Sequence, residues 1–145
     1  MRALLFRRLP ALVFGLSLIA GAGSAAAASE GLLYSFTGKA DGSGPSGGLV
    51  ADASGALYGV ATTGGAAQLG VVFKLTPPAP GQKNWTETVL HSFQGLDAGD
   101  GDEPDTGLLM DRTGALYGTT VTGGVANHGT VFKLTPPAGD RKSVV

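Results

Sequence analysis

The chain repeats itself, and this internal repeat constrains its fold more than any other feature of the sequence. GALYGVATTGG at 55–65 recurs as GALYGTTVTGG at 114–124, an offset of 59 residues that FKLTPP also follows. Upstream, LLYSF at 32–36 corresponds to VLHSF at 89–93, at an offset of 57. The two-residue difference falls in the next segment, where GKADGSGP becomes GLDAGDGDEP. Because loops absorb insertions and strands do not, one structural unit is built twice.

Each unit contains four short runs rich in Val, Leu, Phe, Tyr and Thr, which are predicted strands. They are GLLYSF, GLVAD, ALYGVAT and GVVFKLT in the first unit, and TVLHSF, GLLMD, ALYGTTV and GTVFKLT in the second. DASG and DRTG separate the second run from the third. There the Asp carboxylate accepts hydrogen bonds from the turn backbone, and Gly takes a positive φ. TPP ends the fourth run, since proline cannot donate to a sheet ladder.

The faces of the strands indicate how the sheets pack. In GVVFKLT, Phe73 and Leu75 point one way and the apolar Val72 points the other, a pattern typical of strands buried on both faces. Gly59 and its counterpart Gly118 are predicted to let a neighbouring strand or blade approach closely. The sequence therefore predicts an all-β fold of tandem four-stranded antiparallel repeats, each a β-propeller-like blade.

The N-terminal segment, residues 1–28, is predicted to be a signal peptide. A basic start, MRALLFRR, precedes an apolar run that is too short for a bilayer span and ends in small residues. The segment carries three of the chain's ten basic residues, which leaves seven against eleven acidic ones. This acidic balance excludes nucleic acid as a partner. We expect no membrane span after signal removal, and a secreted, periplasmic or cell-surface location.

The combined motif LYGTT…GG…GTVFKLTPP, WTETVLHSF and P-x-x-G-L-x-x-D-x-x-G-x-L-Y-G resembles the GloVer (Gloeo/Verruco) tandem repeat. The resemblance covers nearly all of residues 32–137. It implies an exported bacterial repeat protein, with propeller-like repeats and no established catalytic residues. The first unit departs from the motif, with GVAT for GTT and GVVFKL for GTVFKL.

Two blades are predicted, at 29–87 and 88–145, with the start of a third breaking off after residue 138. Known propellers contain about four to eight blades. Three arrangements stay open: a fragment of a longer repeat protein, a homo-oligomer that completes a propeller, or two sheets packed as a sandwich.

The loop at 96–105 is the candidate metal site, because clustered carboxylates supply the oxygen ligands that calcium prefers. The alternative is a solvated acidic loop, since the spacing matches no known calcium motif. The candidate calcium ligands are Asp97, Asp100, Asp102 and Asp105, with Glu103 beside them. No other cofactor is predicted.

The remaining polar candidates favour structural roles. His91 is predicted to be a packed aromatic that shares a strand face with Phe93, and His128 to be an exposed loop residue. Trp85 is predicted to pack at the core or its rim. Neither histidine is predicted to share a role with its repeat counterpart, which is Tyr34 for His91 and Leu69 for His128.

Taken together, the sequence predicts an exported repeat protein with a binding or structural role at or outside the cell surface. Its expected partner is a glycan or a surface protein, and no catalytic site is evident. The alternative is a fragment of a larger secreted propeller protein, including one that hydrolyses polysaccharide with carboxylates from different blades.

Overall fold

The computed structural model describes residues 28–135, and those from Gly31 onward belong to one compact unit. These described residues form eight strands and one short 3-10 helix, η1. They are β1 (Ser43–Ala51), β2 (Leu57–Thr63), β3 (Val71–Thr76), β4 (Thr86–Ser92), η1 (Leu96–Ala98), β5 (Gly101–Pro104), β6 (Leu109–Met110), β7 (Leu116–Gly123) and β8 (Thr130–Leu134). The predicted signal peptide and the predicted break after residue 138 lie outside the described residues, apart from Ala28.

The strands form two antiparallel sheets that correspond to the two repeats. Sheet 1 has the order β1-β2-β3-β4, with a bulge in β1 between Ser46 and Val50. In sheet 2, β5 and β6 pair with successive parts of β7, and β8 pairs with the other side of β7. Together β5 and β6 take the place of β1. The predicted all-β fold of tandem antiparallel repeats is confirmed.

One predicted strand, GLLYSF at 31–36, is not formed in the structure. Residues 31–36 lie in no strand, whereas their repeat counterpart, 88–93, lies in β4 except for Phe93, and β4 pairs with β3 and completes sheet 1. The fourth strand of the first sheet is therefore supplied by a run that the sequence repeat places in the second unit. A run with strand propensity forms a strand only where a neighbouring edge offers hydrogen bonds, and β3 offers that edge to β4.

The two sheets pack face to face through an apolar core. From sheet 1, Val60 and Val72 contribute to this core, and from the second repeat Phe93, Leu108 and Leu116 do. We call this contact the junction. Each of its strands alternates side chains between two faces, so Val60 and Val72 face the junction while their neighbours face away.

The opposite face of sheet 1, which we call the outer face, carries a second cluster. It contains Ala61, Val71, Phe73 and Leu75, and it is partly covered by Tyr34, Phe36, Trp85 and Val89. Sheet 1 is thus buried on both faces, as the apolar pattern of GVVFKLT predicted. No helix among residues 28–135 is long and apolar enough to cross a membrane.

Candidate functional site

Each repeat contains the same aspartate-centred turn. Oδ1 of Asp52 accepts hydrogen bonds from the Ser54 amide (2.8 Å), the Ser54 hydroxyl (2.6 Å) and the Ala56 amide (3.1 Å), and Oδ2 accepts one from Tyr58 (2.9 Å). Around Asp111, the groups of Thr113, Ala115 and Tyr117 donate at the same four distances. This confirms the predicted turn chemistry and adds a tyrosine that the local pattern did not indicate.

These hydrogen bonds stabilise the charged carboxylates. The Thr113 hydroxyl makes the largest contribution at Asp111, and with the other donors it outweighs desolvation and lowers the pKa to about 2. At Asp52, desolvation is the largest single effect and opposes ionisation, but the four donors together still lower its pKa. Both carboxylates hold their own turns and are not poised to exchange protons near neutral pH.

A second repeated pair joins an aromatic side chain to the loop that follows it. The Tyr34 hydroxyl donates to Oδ2 of Asp41 at 3.0 Å, and Nε2 of His91 lies 2.9 Å from Oδ2 of Asp100. His91 also packs edge-on against Phe93, with ring centroids 4.7 Å apart, as predicted for a packed aromatic. The expectation that His91 and Tyr34 have unrelated roles is wrong, because both bind the carboxylate of their own loop.

The loops themselves correspond through their backbone. The Gly65 amide donates to the Lys39 carbonyl at 2.8 Å, and its counterpart Gly124 donates to the Asp100 carbonyl at 2.7 Å. The extra residues of the second loop form η1. The sequence repeat does not indicate that the two aromatic–aspartate pairs are equivalent, because the two-residue insertion of the second loop lies between the aromatic residue and the aspartate.

The Tyr34–Asp41 pair has an acidic neighbour, Glu87. Burial, the hydrogen bond to Asp41 and the charges of Asp41 and Glu87 raise the pKa of Tyr34 to about 12. Asp41 loses solvation, but donors from Thr37, Tyr34 and Lys39 outweigh that cost and lower its pKa to about 2. Desolvation, and then the charge of Asp41, raise the pKa of Glu87. Oε1 of Glu87 is buried without a hydrogen-bond partner.

The candidate calcium ligands are used in different ways. Asp97 lies in η1, Asp100 accepts from the Gln94 and Gly101 amides besides contacting His91, and Asp105 accepts from the Ser46 hydroxyl at 2.6 Å. Asp102 lies in β5, with Oδ1 buried and without a hydrogen-bond partner. Within residues 28–135, no three His, Asp or Glu side chains are grouped to hold a metal ion. Calcium binding at this loop stays a prediction.

An open apolar cleft of about 290 Å³ lies on the outer face of sheet 1. One wall is the segment at 31–36, and the other is the bulged part of β1 around Gly47. The side chains that shape it include Leu33, Tyr34, Phe36, Leu49 and Phe73. Leu49 is 54% exposed there, whereas its counterpart Leu108 is 6% exposed because it is buried in the junction.

The other residues singled out in the sequence take modest roles. Trp85 is half-buried against the outer-face cluster, which confirms core or rim packing. His128 is exposed, as predicted. Gly59 and Gly118 are each approached by an aromatic ring of the next strand, Phe73 and Phe132, together with Leu49 and Leu108. The predicted close approach is thus made largely by side chains of the same sheet.

Comparison with known proteins agrees with this architecture. The family model described as the Gloeobacter/Verrucomicrobia repeat matches residues 22–145. No curated protein and no solved structure matches the chain. Since the match covers most of the chain and both repeats, the protein belongs to the Gloeobacter/Verrucomicrobia repeat family.

Proposed function

We propose that this chain is an exported repeat module with a structural binding role at or outside the cell surface. Export is supported by the basic, apolar and small-residue order of its first 28 residues. A role in binding is supported by how the polar groups are used: the carboxylates of Asp41, Asp52 and Asp111, which accept four hydrogen bonds each, hold turns and loops of their own blade. What the described surface offers to a partner is mainly the apolar cleft on sheet 1.

The observation that carries this proposal is the relation between the cleft and the junction. Phe36, Leu49 and Phe73 shape the cleft, and their repeat counterparts Phe93, Leu108 and Phe132 pack at the junction. At the junction these counterparts contact Val60 and Val72 of the preceding sheet. The cleft is therefore the surface of sheet 1 that corresponds to the junction surface of the second repeat. Since that junction surface packs against a preceding sheet, the cleft fits another blade of this repeat type.

Binding of another blade in the cleft would lengthen the row of packed blades. Burying apolar surface contributes about 25 cal/mol per Å², so the exposed Leu33 and Leu49 favour an apolar occupant. The blades then present their loops at the edges of the assembly.

The test begins with the full chain carrying a C-terminal tag in a bacterial host. We expect the tagged protein in the periplasm or outside the cell, with an N-terminus at Ser29. An uncleaved chain held in the cytoplasm would overturn the export proposal.

The role of the cleft is tested with matched Leu→Asp variants of the exported protein. Leu49→Asp should weaken self-association at least tenfold, whereas Leu96→Asp, an exposed leucine of η1, should leave it unchanged. Carbohydrate binding on a glycan array that is lost in Leu49→Asp would replace blade stacking with a glycan-binding role.

A further inference from the structure

In the part of the chain that the structure describes, no strand pairs with the outer edge of β8, unlike that of its repeat counterpart β3. In sheet 1, β3 is paired on both sides, with β2 and with β4. Its counterpart β8 pairs, within residues 28–135, with β7 alone. An unpaired edge presents free N–H and C=O groups and is a template for another strand. Among the described strands, the position next to β8 in sheet 2 is therefore open.

The segment at 31–36 is the repeat counterpart of the strand that would occupy such a position. It lies in no strand, although its equivalent in the second repeat, 88–93, forms most of β4. Its side chains are nonetheless placed like those of that equivalent. Ring centroids of Phe36 and Phe73 lie 5.0 Å apart at 67°, and those of Phe93 and Phe132 lie 5.2 Å apart at 67°.

The exposed apolar residues match the same arrangement. Val72 is 0% exposed because the junction covers it, while its counterpart Val131 in β8 is 83% exposed. Leu32 is also largely exposed, although its counterpart Val89 packs against the Phe73 cluster. The exposed face of sheet 2 around Val131 therefore corresponds to one side of the junction. The segment at 31–36 and the cleft beside it correspond to the other side.

We propose that the segment at 31–36 of one copy pairs antiparallel with β8 of a second copy, whose exposed sheet-2 face fills the cleft of the first. This inference deepens the proposed function, on which it rests, by naming the partner as a second copy of this chain. The register follows from β3 and β4, where Val72 lies opposite His91 and Lys74 opposite Thr88.

In that register Val131 lies opposite Tyr34 of the other copy, and Lys133 lies opposite Gly31. Two backbone hydrogen bonds of the existing junction should also recur between copies. The Phe93 amide donates to the Gly70 carbonyl at 3.0 Å, and the Glu103 amide donates to the Leu69 carbonyl at 3.1 Å. Their counterparts are the Phe36 amide with the Gly129 carbonyl, and the Gly44 amide with the His128 carbonyl.

This interface is heterologous, because one copy donates the segment and the other donates β8. A head-to-tail contact closes into a ring when the rotation per copy allows it. Since propellers contain about four to eight blades, two-blade copies would close at about two to four copies.

Engineered cysteines test the pairing, since the native chain contains none. Two single variants of the exported protein are prepared, Gly31→Cys and Lys133→Cys; a Cβ at Gly31 meets no atom within 4 Å. Directly opposite residues in antiparallel strands have Cβ atoms about 4.5–5.5 Å apart, close enough for a disulfide after small adjustment.

We expect mild oxidation of the mixed variants to give a disulfide-linked heterodimer, while each variant alone stays at least tenfold less cross-linked. Gly31→Cys mixed with Arg112→Cys, an exposed turn residue, is the matched control and should not cross-link. Light scattering should give a mass of two to four copies.

Two results would overturn the inference. The first is an exported protein with the monomer mass and no heterodimer. The second is a dimer in which Gly31→Cys alone cross-links efficiently, which indicates a symmetric interface. Neither of these two results bears on export. Failure of export would contradict the proposed function, but it would not contradict the pairing of the purified protein.

Discussion

The imidazole of His91 lies 2.9 Å from the carboxylate of Asp100, at the place where the first repeat puts a tyrosine hydroxyl 3.0 Å from Asp41. The two repeats thus keep one hydrogen-bonded contact between an aromatic side chain and the loop that follows it, while changing the donor. The contact closes the loop against the sheet, and it explains why both loops keep an aspartate despite their different lengths.

This relation predicts that His91→Tyr is tolerated and His91→Phe is not. Tyrosine can donate to Asp100 as Tyr34 donates to Asp41, whereas phenylalanine leaves the carboxylate without that partner. We expect His91→Phe to lower the free energy of unfolding by about 1 kcal/mol, given that the pair is half-exposed. Urea unfolding of both variants measures the difference, and equal losses would contradict a donor role.

Stability is expected to fall in acid because three aspartates have lowered pKa values. The pKa is about 2 for Asp41 and Asp111, and that of Asp52 is lowered in the same direction. A lowered pKa in the folded state contributes stability that is present above the ordinary value near 3.8 and is lost as pH falls towards 2.

Urea midpoints between pH 5 and pH 2.5 measure this loss. Asp41→Asn should have a lower midpoint at pH 5 and a weaker dependence on pH. A wild-type midpoint that is constant over this range would contradict the prediction.

Glu87→Gln is expected to stabilise the protein at neutral pH. Desolvation and the nearby Asp41 raise the pKa of Glu87, so its charged form is disfavoured in the folded state. The native glutamate is best tolerated when protonated, below about pH 4.5, and becomes unfavourable as pH rises.

Replacing it with a neutral amide should therefore raise the free energy of unfolding by about 0.5 kcal/mol at pH 7 and by little at pH 4. The exposed Glu103→Gln is the matched control for charge removal. Equal effects of the two substitutions at pH 7 would contradict a local cause.

Gly118→Ala is expected to cost more than Gly59→Ala. A Cβ at Gly118 would lie 2.5 Å from Cζ of Phe132 and 3.0 Å from Cδ2 of Leu108, which are packed in the junction. At Gly59 the close atoms belong to the buried Phe73 and to Leu49, and of the two only Leu49 is exposed and free to move away. We expect a loss of about 2 kcal/mol for Gly118→Ala and about half of that for Gly59→Ala, measured by urea unfolding. The reverse order would contradict the asymmetry between junction and cleft.

The sequence alone determined the repeat, most of the strands and the aspartate turns. The strands and turns depend on residues within about ten positions of one another, so apolar runs, Gly, Pro and Asp report them directly. The turn at Asp52 and its copy at Asp111 formed as the local pattern predicted, with backbone amides donating to the carboxylate.

Only the tertiary structure decided which sheet each run joins and which polar groups meet. Run 31–36 and the run that ends at Phe93 have similar strand propensity. Yet β4 pairs with the edge of β3, and no strand between residues 28 and 135 pairs with the earlier run. The contact of Asp100 with His91 spans a loop insertion and a change of residue type, so no alignment of the repeats revealed it. Edge pairing and face stacking join residues far apart in the chain, and the free energy that selects among them comes from burial and hydrogen bonds that no local pattern encodes.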